Sequence, residues 1–481
     1  MRAARQQLGC GSAAVLLSAA ALWLGTGLDP KWGATWLAPL PVLAFALRAP
    51  ALATGVAALA AWVLGGLNLW HYYRGILGVP LPVVLVAITV PAIAFAALAL
   101  LMRALAGRGR TLLATVALPS GWTAFEHLVS RVSPHGTFGS LAYTQMDCLP
   151  VVQVASLLGI SGITFLLTLV PSALAVATLP TAARDRCRIV WTTAAAVTLA
   201  LGYGGWRLVR EEPGRTSVEV GLAAADRPEQ PAPAGTNEGE RVVAQYAQAS
   251  GALAARGAQV VVLPETVLRI AAGGLTDLQE LFAGLTERGA TVALGVDRLD
   301  TGSEVNAAIA FLPRGGPPAV YAKQHLLLPP ERRFRPGSEL TLVDSAAGPL
   351  GLAVCKDLDF PPLGRRYAVR GVSMLLVPAW DFTADGWLHS RMAVLRGVEG
   401  GFAVARAARG GRLTISDDRG RIVAEAASAD APVASVLGAV GVRPEKTPYA
   451  RGGDWFAWLA GGLFVLAVVA TVRAGSAQEV A

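Results

Sequence analysis

The chain has 481 residues, of which 53% are hydrophobic and 15% charged, where an average soluble protein carries roughly a quarter charged residues. With a mean hydropathy of +0.49, this balance excludes a disordered chain and an ordinary water-soluble enzyme. The net charge is +8, but residues 1–212 hold 14 Lys and Arg against 6 Asp and Glu, while residues 213–454 hold 26 of each, so the excess lies among the apolar runs and reads as topology-setting charge, not a nucleic-acid surface.

In chain order, the first 210 residues form a series of apolar runs near the roughly 20 residues needed to cross a bilayer. They fall at 11–28, 33–47, 50–70, 79–102, 111–130, 157–180 and 188–206, and an eighth fills 456–472. The second is short and Pro-rich. With the N-terminus inside, the cytoplasmic segments carry Arg2, Arg5, Arg48, Arg103, Arg108, Arg110, Arg184, Arg186, Arg188 and Arg473, while the short external loops carry Lys31, Arg74 and Arg131. That positive-inside bias puts residues 207–455 on the outer face, the periplasm of a Gram-negative cell. No convincing cleavage site follows the first run, so it reads as an uncleaved anchor. The expected organisation is a seven-span domain at 1–210, an external domain at 211–454, and a last span with a cytoplasmic tail at 455–481.

The external part opens on a Pro/Gly-rich loop at 227–240. Buried strands are expected at 218–225, 259–265, 290–296, 306–313, 351–355 and 373–379, and helices at 241–255, 275–288 and 386–399. Short apolar runs bounded by Gly or Pro fit strands covered on both faces, giving a layered α/β domain.

Three residues at the ends of such runs stand out. Cys355 closes the run GLAVC, and the other cysteines (Cys10, Cys148 and Cys187) fall in or beside the spans. Four cysteines without a C-x-x-C make neither a disulfide framework nor a zinc site. A lone cysteine is either a buried structural residue or a reactive one, and an oxidising compartment disfavours a stray thiol. Glu265 closes QVVVLP, and Lys323 follows a short β-like run; each is also compatible with a solvated surface role. Together they have a chemical logic. A thiol near neutral pH needs a base or a cation to become a nucleophile, a carboxylate in a dry setting serves as that base, and a fixed ammonium stabilises an oxyanion. His325 and His389 offer a Cys-His alternative. No H-E-x-x-H, P-loop or G-x-S-x-G motif occurs, which argues against a metalloprotease, an NTPase or a serine lipase.

The order Glu265 in LPET, Lys323 in YAKQHL and Cys355 in AVCKD resembles the Glu-Lys-Cys triad of the nitrilase, or carbon–nitrogen hydrolase, superfamily. The membrane half, through FGSLAYTQMDCLPVVQVASLLGISGITFLL at 138–167 and TPYARGGDW at 447–455, resembles the apolipoprotein N-acyltransferase family, as do 325–337 and 391–408. The resemblance implies a polytopic α-helical membrane domain of about eight spans plus an α-β-β-α sandwich. It implies Cys355 as nucleophile, Glu265 as general base and Lys323 as oxyanion stabiliser. Glu331 matches a second supporting glutamate, Asp357 an acidic position, and Trp380 an aromatic near the acyl pocket, for which ordinary packing is the alternative.

The implied reaction moves an acyl chain from a membrane phospholipid, through a thioester on Cys355, to the terminal amine of a diacylglyceryl-cysteine apolipoprotein. Its partners are membrane lipids and that acceptor; no metal, organic cofactor or nucleic acid is implied, and the implied location is the bacterial inner membrane. A membrane-anchored amidase paralogue and a non-catalytic lipid-binding protein are the rival readings. The sequence departs from the family at Lys356, where an aromatic is usual, at Val-Pro before Ala379, at Arg-Gly-Gly 409–411 and in the first soluble strand. Lys356 either lowers the thiol pKa or pairs with Asp357 or Asp359.

Overall fold

The computed structural model describes residues 2–210, 213–226, 231–271, 273–300, 302–346 and 348–479, so residues 227–230 of the expected loop lie outside the described residues. The chain divides into two compact units, one of Met1–Ser133, Thr137–Val209 and Gly452–Ala481, the other of Pro134–Gly136 and Arg210–Arg451.

The first unit is helical. Its long helices are Arg2–Gly25, Ala51–Gly66, Leu81–Gly107, Thr111–Val132, Ile160–Ala177, Arg186–Val209 and Trp455–Glu479. Among the described residues, four helical stretches are long and apolar enough to cross a membrane: Ala51–Leu69, Leu81–Gly107, Ile160–Ala177 and Trp455–Val472. Thr111–Val132 and Arg186–Val209 have the length, but Glu126 and Arg131 in one, and Arg186, Arg188 and Arg207 in the other, lower their hydropathy. The expected run at 33–47 is not one helix. It breaks into Trp32–Thr35 and Leu40–Ala46, because Pro39 and Pro41 lack the N–H that a continuous helix requires there.

Glu126 ties this unit's irregular segment to its helices. Its Oε1 accepts from Trp122 Nε1 at 2.9 Å and from the Leu141 N–H at 3.0 Å, and its Oε2 accepts from Ser140 Oγ at 2.6 Å and Thr164 Oγ1 at 2.8 Å. One half-buried carboxylate, with both oxygens satisfied, thereby fixes the turn Leu141–Gln145 between Thr111–Val132 and Ile160–Ala177.

The second unit holds the strands β1 (Thr216–Ala224), β2 (Ala232–Pro233), β3 (Val260–Val262), β4 (Leu268–Ile270), β5 (Thr291–Asp300), β6 (Ser303–Phe311), β7 (Ala319–Ala322), β8 (Leu342–Val343), β9 (Leu350–Leu352), β10 (Met374–Trp380), β11 (Ala403–Arg409), β12 (Arg412–Ser416), β13 (Ile422–Ala427) and β14 (Ala434–Val442). They form an eight-stranded sheet, β14-β1-β3-β5-β4-β2 with β6 and β7 beyond β5, and a six-stranded sheet, β13-β12-β11-β10-β9-β8. In the centres the pairing is parallel: β1 with β3, β3 and β4 with β5, and β10 with β9 and β11.

Side-chain alternation builds the layers. Val218, Val220 and Leu222 of β1, Val260 and Val262 of β3, Leu350 and Leu352 of β9, and Met374 and Leu376 of β10 meet in one core between the sheets. The residues between them face outward. Val261, Val292 and Leu294 pack with Tyr246, Leu253 and Phe282 from the helices Asn237–Ala255 and Gly274–Thr286. On the other sheet Leu375, Val377 and Val404 pack with Leu363, Tyr367 and Ala393 from Pro361–Val369 and Gly386–Gly400. The result is an α-β-β-α sandwich. Each expected strand and helix falls on an observed one, and β7 is the short β-like run before Lys323, but Pro361–Val369 and seven strands (β2, β4, β8 and β11 to β14) were not expected. Three of those strands span two or three residues, too short to show a period.

Candidate active site

Glu265 does not end its strand as expected. It sits in the interruption between β3 and β4, which run in line along one side of β5. There the ladder opens: Leu263 N–H donates to Ala293 O at 2.8 Å, Gly295 N–H to Pro264 O at 2.8 Å, and Val267 N–H to Gly295 O at 2.8 Å. Thr266 takes φ +46°, a left-handed conformation that re-aims the chain. Glu265 N–H then donates to Ala379 O of β10 at 3.2 Å, joining the two sheets at this point.

Gly295 makes the kink feasible, because a Cβ there would lie 2.5 Å from Glu265 Cα. We expect Gly295→Ala to force the backbone at Glu265 aside, with a loss of about 1–3 kcal/mol of stability. A thermal or denaturant melt of the purified chain checks it; an unchanged midpoint contradicts the close approach.

Lys323 follows β7 directly. Its N–H donates to Asn306 O of β6 at 2.9 Å, and Gly337 N–H returns to Lys323 O at 2.9 Å, closing the intervening loop on itself. The Lys323 ammonium, 2% exposed, donates to Glu265 Oε1 at 2.7 Å and Glu331 Oε1 at 2.9 Å. Glu331 lies in that loop, and its Oε2 accepts the Leu327 N–H at 2.6 Å. Asn306, which sequence reading missed, donates from one Nδ2 to Glu265 Oε1 at 2.6 Å and to Glu331 Oε1 at 2.8 Å.

Cys355 follows β9 at the first position of the 3-10 turn Cys355–Asp359, with φ +43°. A non-glycine residue held in the left-handed region is strained, and such strain clusters where a side chain is presented for use. Its thiol donates to Trp380 O at 3.3 Å, one residue beyond the carbonyl that receives Glu265 N–H.

Asp357, fully buried, joins this turn to the Lys323 loop. Its Oδ2 accepts from Tyr321 Oη at 2.8 Å and Val354 N–H at 3.1 Å, and its Oδ1 takes the N–H groups of Gln324 at 3.2 Å and His325 at 2.9 Å. His325 Nδ1 lies 2.9 Å from the same oxygen, with the ring stacked on Phe360. Asp357 thus holds the thiol turn and the ammonium loop in register.

The electrostatics follow from burial. Desolvation pushes the Cys355 thiol well above its ordinary value and the Glu265 charge adds to that, while Lys323 and Arg406 draw it back. Desolvation likewise raises Glu265, opposed by Lys323. Lys323 would be lowered by burial, but Glu265 and Glu331 overcome this and hold it above the usual lysine value. Burial thus favours a neutral thiol at rest, with the Lys323 ammonium fixed between Glu265 and Glu331.

Behind the thiol, Arg406 of β11 grips Asp381 in a bidentate pair at 2.8 and 2.5 Å, both side chains buried. This anchors the end of β10 at the residue after Trp380. Trp380 itself lies partly buried under the Arg409 guanidinium, 3.9 Å from its ring centre, and Arg409 also donates to Thr266 Oγ1 at 3.0 Å.

Lys356 turns to the Lys323 loop, where its ammonium donates to Leu326 O at 3.3 Å. Burial lowers it, with Asp359 opposing. His389 does not form a Cys-His pair: its nitrogens lie 3.6 Å from Asp359 and 3.3 Å from Asp385. Burial would lower its pKa, but those carboxylates hold it well above the usual histidine value. No group of three or more His, Cys, Asp or Glu among the described residues has the geometry to hold a metal ion.

Chemically, the cluster offers a thiol, a carboxylate with a raised proton affinity, and a cation, in a dry setting. Residues 224–439 match the carbon–nitrogen hydrolase family model, and residues 13–173 match the apolipoprotein N-acyltransferase N-terminal domain model. The chain is 28% identical over 406 residues to an apolipoprotein N-acyltransferase of Geobacter metallireducens, covering 76% of each chain. It is 27% identical over 151 residues to an (R)-stereoselective amidase of Pseudomonas sp., covering 29% of this chain and 55% of the amidase. Among solved structures, a Nesterenkonia AN1 amidase of the nitrilase superfamily aligns at 20% identity with a TM-score of 0.40, covering 49% of this chain and 93% of that one. The two family models thus fall on the helical and the sandwich units in turn, and the Geobacter relative is matched along most of the chain; these findings support an apolipoprotein N-acyltransferase within the carbon–nitrogen hydrolase superfamily.

Proposed function

We propose that the chain is a multi-pass inner-membrane enzyme that moves an acyl chain from a phospholipid to the N-terminal amine of a diacylglyceryl-cysteine apolipoprotein. The observation that carries this reading is the buried Glu265–Lys323 pair at 2.7 Å, whose charges both act on the Cys355 thiol, in a chain of this family. Cys355 is the nucleophile. As its sulfur bonds to the ester carbonyl carbon, the thiol proton passes to Glu265, and Lys323 stabilises the developing oxyanion. Collapse breaks the ester C–O bond; Glu265 returns the proton to the leaving oxygen, and lysophospholipid departs. The neutral acceptor amine then attacks the thioester and Glu265 takes its proton; as the C–S bond breaks, Glu265 hands that proton to the leaving sulfur, regenerating the thiol and the ionised carboxylate. Glu331 and Asp357 hold Lys323 and the turn; Trp380 supplies the carbonyl on which the resting thiol is parked.

Eight spans, with the N-terminus inside and residues 211–454 in the periplasm, suit this chemistry, because both substrates keep their chains in the bilayer while their reacting atoms lie at its surface. The positive-inside bias of the loops supports that topology. The amidase reading differs in giving the thioester to water.

The test is transfer from phospholipid to a diacylated reporter peptide by the detergent-purified chain, read by mass spectrometry with lysophospholipid release. Peptide acylation is expected in step with lysophospholipid; fatty acid release without peptide acylation would contradict transfer. Because Glu265 is held above its ordinary value, the rate should fall as pH drops through a value above the usual carboxylate range. Lys323, held high, stays charged and adds no loss toward alkaline pH.

A further inference from the structure

The proposed mechanism needs a carboxylate that stays ionised and correctly turned in a dry site, and Lys323 alone does not secure either. Asn306 touches every charged member of the Glu-Lys-Glu cluster. Its backbone carbonyl accepts the Lys323 N–H at 2.9 Å, and its Nδ2 reaches Glu265 Oε1 at 2.6 Å and Glu331 Oε1 at 2.8 Å. The same two oxygens receive the Lys323 ammonium at 2.7 and 2.9 Å. Two donors and two acceptors therefore alternate round a closed ring, in which each carboxylate oxygen is held by one charged and one neutral donor.

The amide orientation carries the argument. With Nδ2 toward the glutamates, Asn306 Oδ1 is buried and has no hydrogen-bond partner among the described residues. An unsatisfied buried acceptor is costly, yet the reverse orientation would point an oxygen at two carboxylates. Donation to both glutamates is the arrangement that the surroundings enforce. Both donors to Glu265 converge on Oε1, which leaves Oε2 as the oxygen to receive a proton.

We infer that Asn306 is a positioning residue for the reaction: its carboxamide stabilises the ionised form of Glu265 and turns Oε2 toward the thiol, setting the pH at which Cys355 can be acylated. The inference rests on the proposed role of Glu265 as base. The charged and titratable groups facing Glu265 are Lys323 and Glu331 from the loop after β7 and Cys355 from the turn after β9; Asp381 and Arg406 act on the thiol behind it.

The test uses the full chain in detergent and the burst of p-nitrophenol from a short p-nitrophenyl ester, which reports acylation of Cys355 whatever acceptor follows. Asn306→Leu removes the donor at similar volume, and its acid limb should move upward by about one to two pH units. The burst rate at neutral pH should fall tenfold or more, with the KM for the ester little changed. Asn306→Ser, which keeps a shorter donor, should fall between Leu and wild type and decides the matter if the Leu variant does not fold. A profile lowered equally at every pH, with its limb unmoved, means a merely structural role and overturns the inference. A shifted limb in a chain whose wild type acylates no peptide supports Asn306 while overturning the transferase reading.

Discussion

Lys323→Met is expected to lose transfer and to weaken the fold at once. The ammonium bridges Glu265 and Glu331, with both carboxylates and the cation largely removed from water. Without it, the two carboxylates share the Asn306 amide as their one common donor in a dry pocket. Removing one member of a buried ion pair costs about 3–5 kcal/mol, because the partner charge is left uncompensated. Loss of an oxyanion donor lowers kcat by about 100- to 1,000-fold on its own, and here the base is disordered as well. Denaturant melts and lysophospholipid release, measured on one preparation, check the two effects together. A variant as stable as wild type would contradict the ion cluster.

Cys355→Ala should separate what Lys323→Met combines. The sulfur makes one long hydrogen bond, to Trp380 O at 3.3 Å, so its removal leaves the ion cluster and the Asp357 network intact. Stability should change by no more than about 1 kcal/mol, while transfer falls by about 10,000-fold or more, as when other covalent nucleophiles are removed. Peptide acylation and lysophospholipid release should disappear together, since both half-reactions use one sulfur. Retained transfer with an unchanged melt would place the nucleophile elsewhere and revive a non-catalytic role for the thiol.

The contrast between these variants also explains what was legible in the sequence. Runs such as QVVVLP and SMLLVPA are continuous because their strands are covered on both faces, so the central strands and the residues that follow them could be read directly. β11 could not, because AVARAAR hides a buried Arg406 whose charge is met by Asp381, the residue just after β10; the pairing exists only across the sheet. Asn306 was hidden for the same reason. Nothing local distinguishes it from any polar residue opening a strand, and its meaning comes from β6 lying beside β7 with Ala307 opposite Ala322. Glu265 was found for a partly mistaken reason: it marks a kink between two strands in line, made by Thr266 and the close approach of Gly295, not a strand end. The run at 33–47 shows a finer break, where an apolar stretch read as one run is divided into Trp32–Thr35 and Leu40–Ala46 around Pro39 and Pro41.

Intact-mass analysis of the full chain with phospholipid and no acceptor tests the account most directly. One acyl adduct on Cys355 is expected, cleaved by hydroxylamine as a thioester and cleared when a diacylated peptide is added. An adduct on another residue, or a chain that releases lysophospholipid while Cys355 stays free, would contradict it.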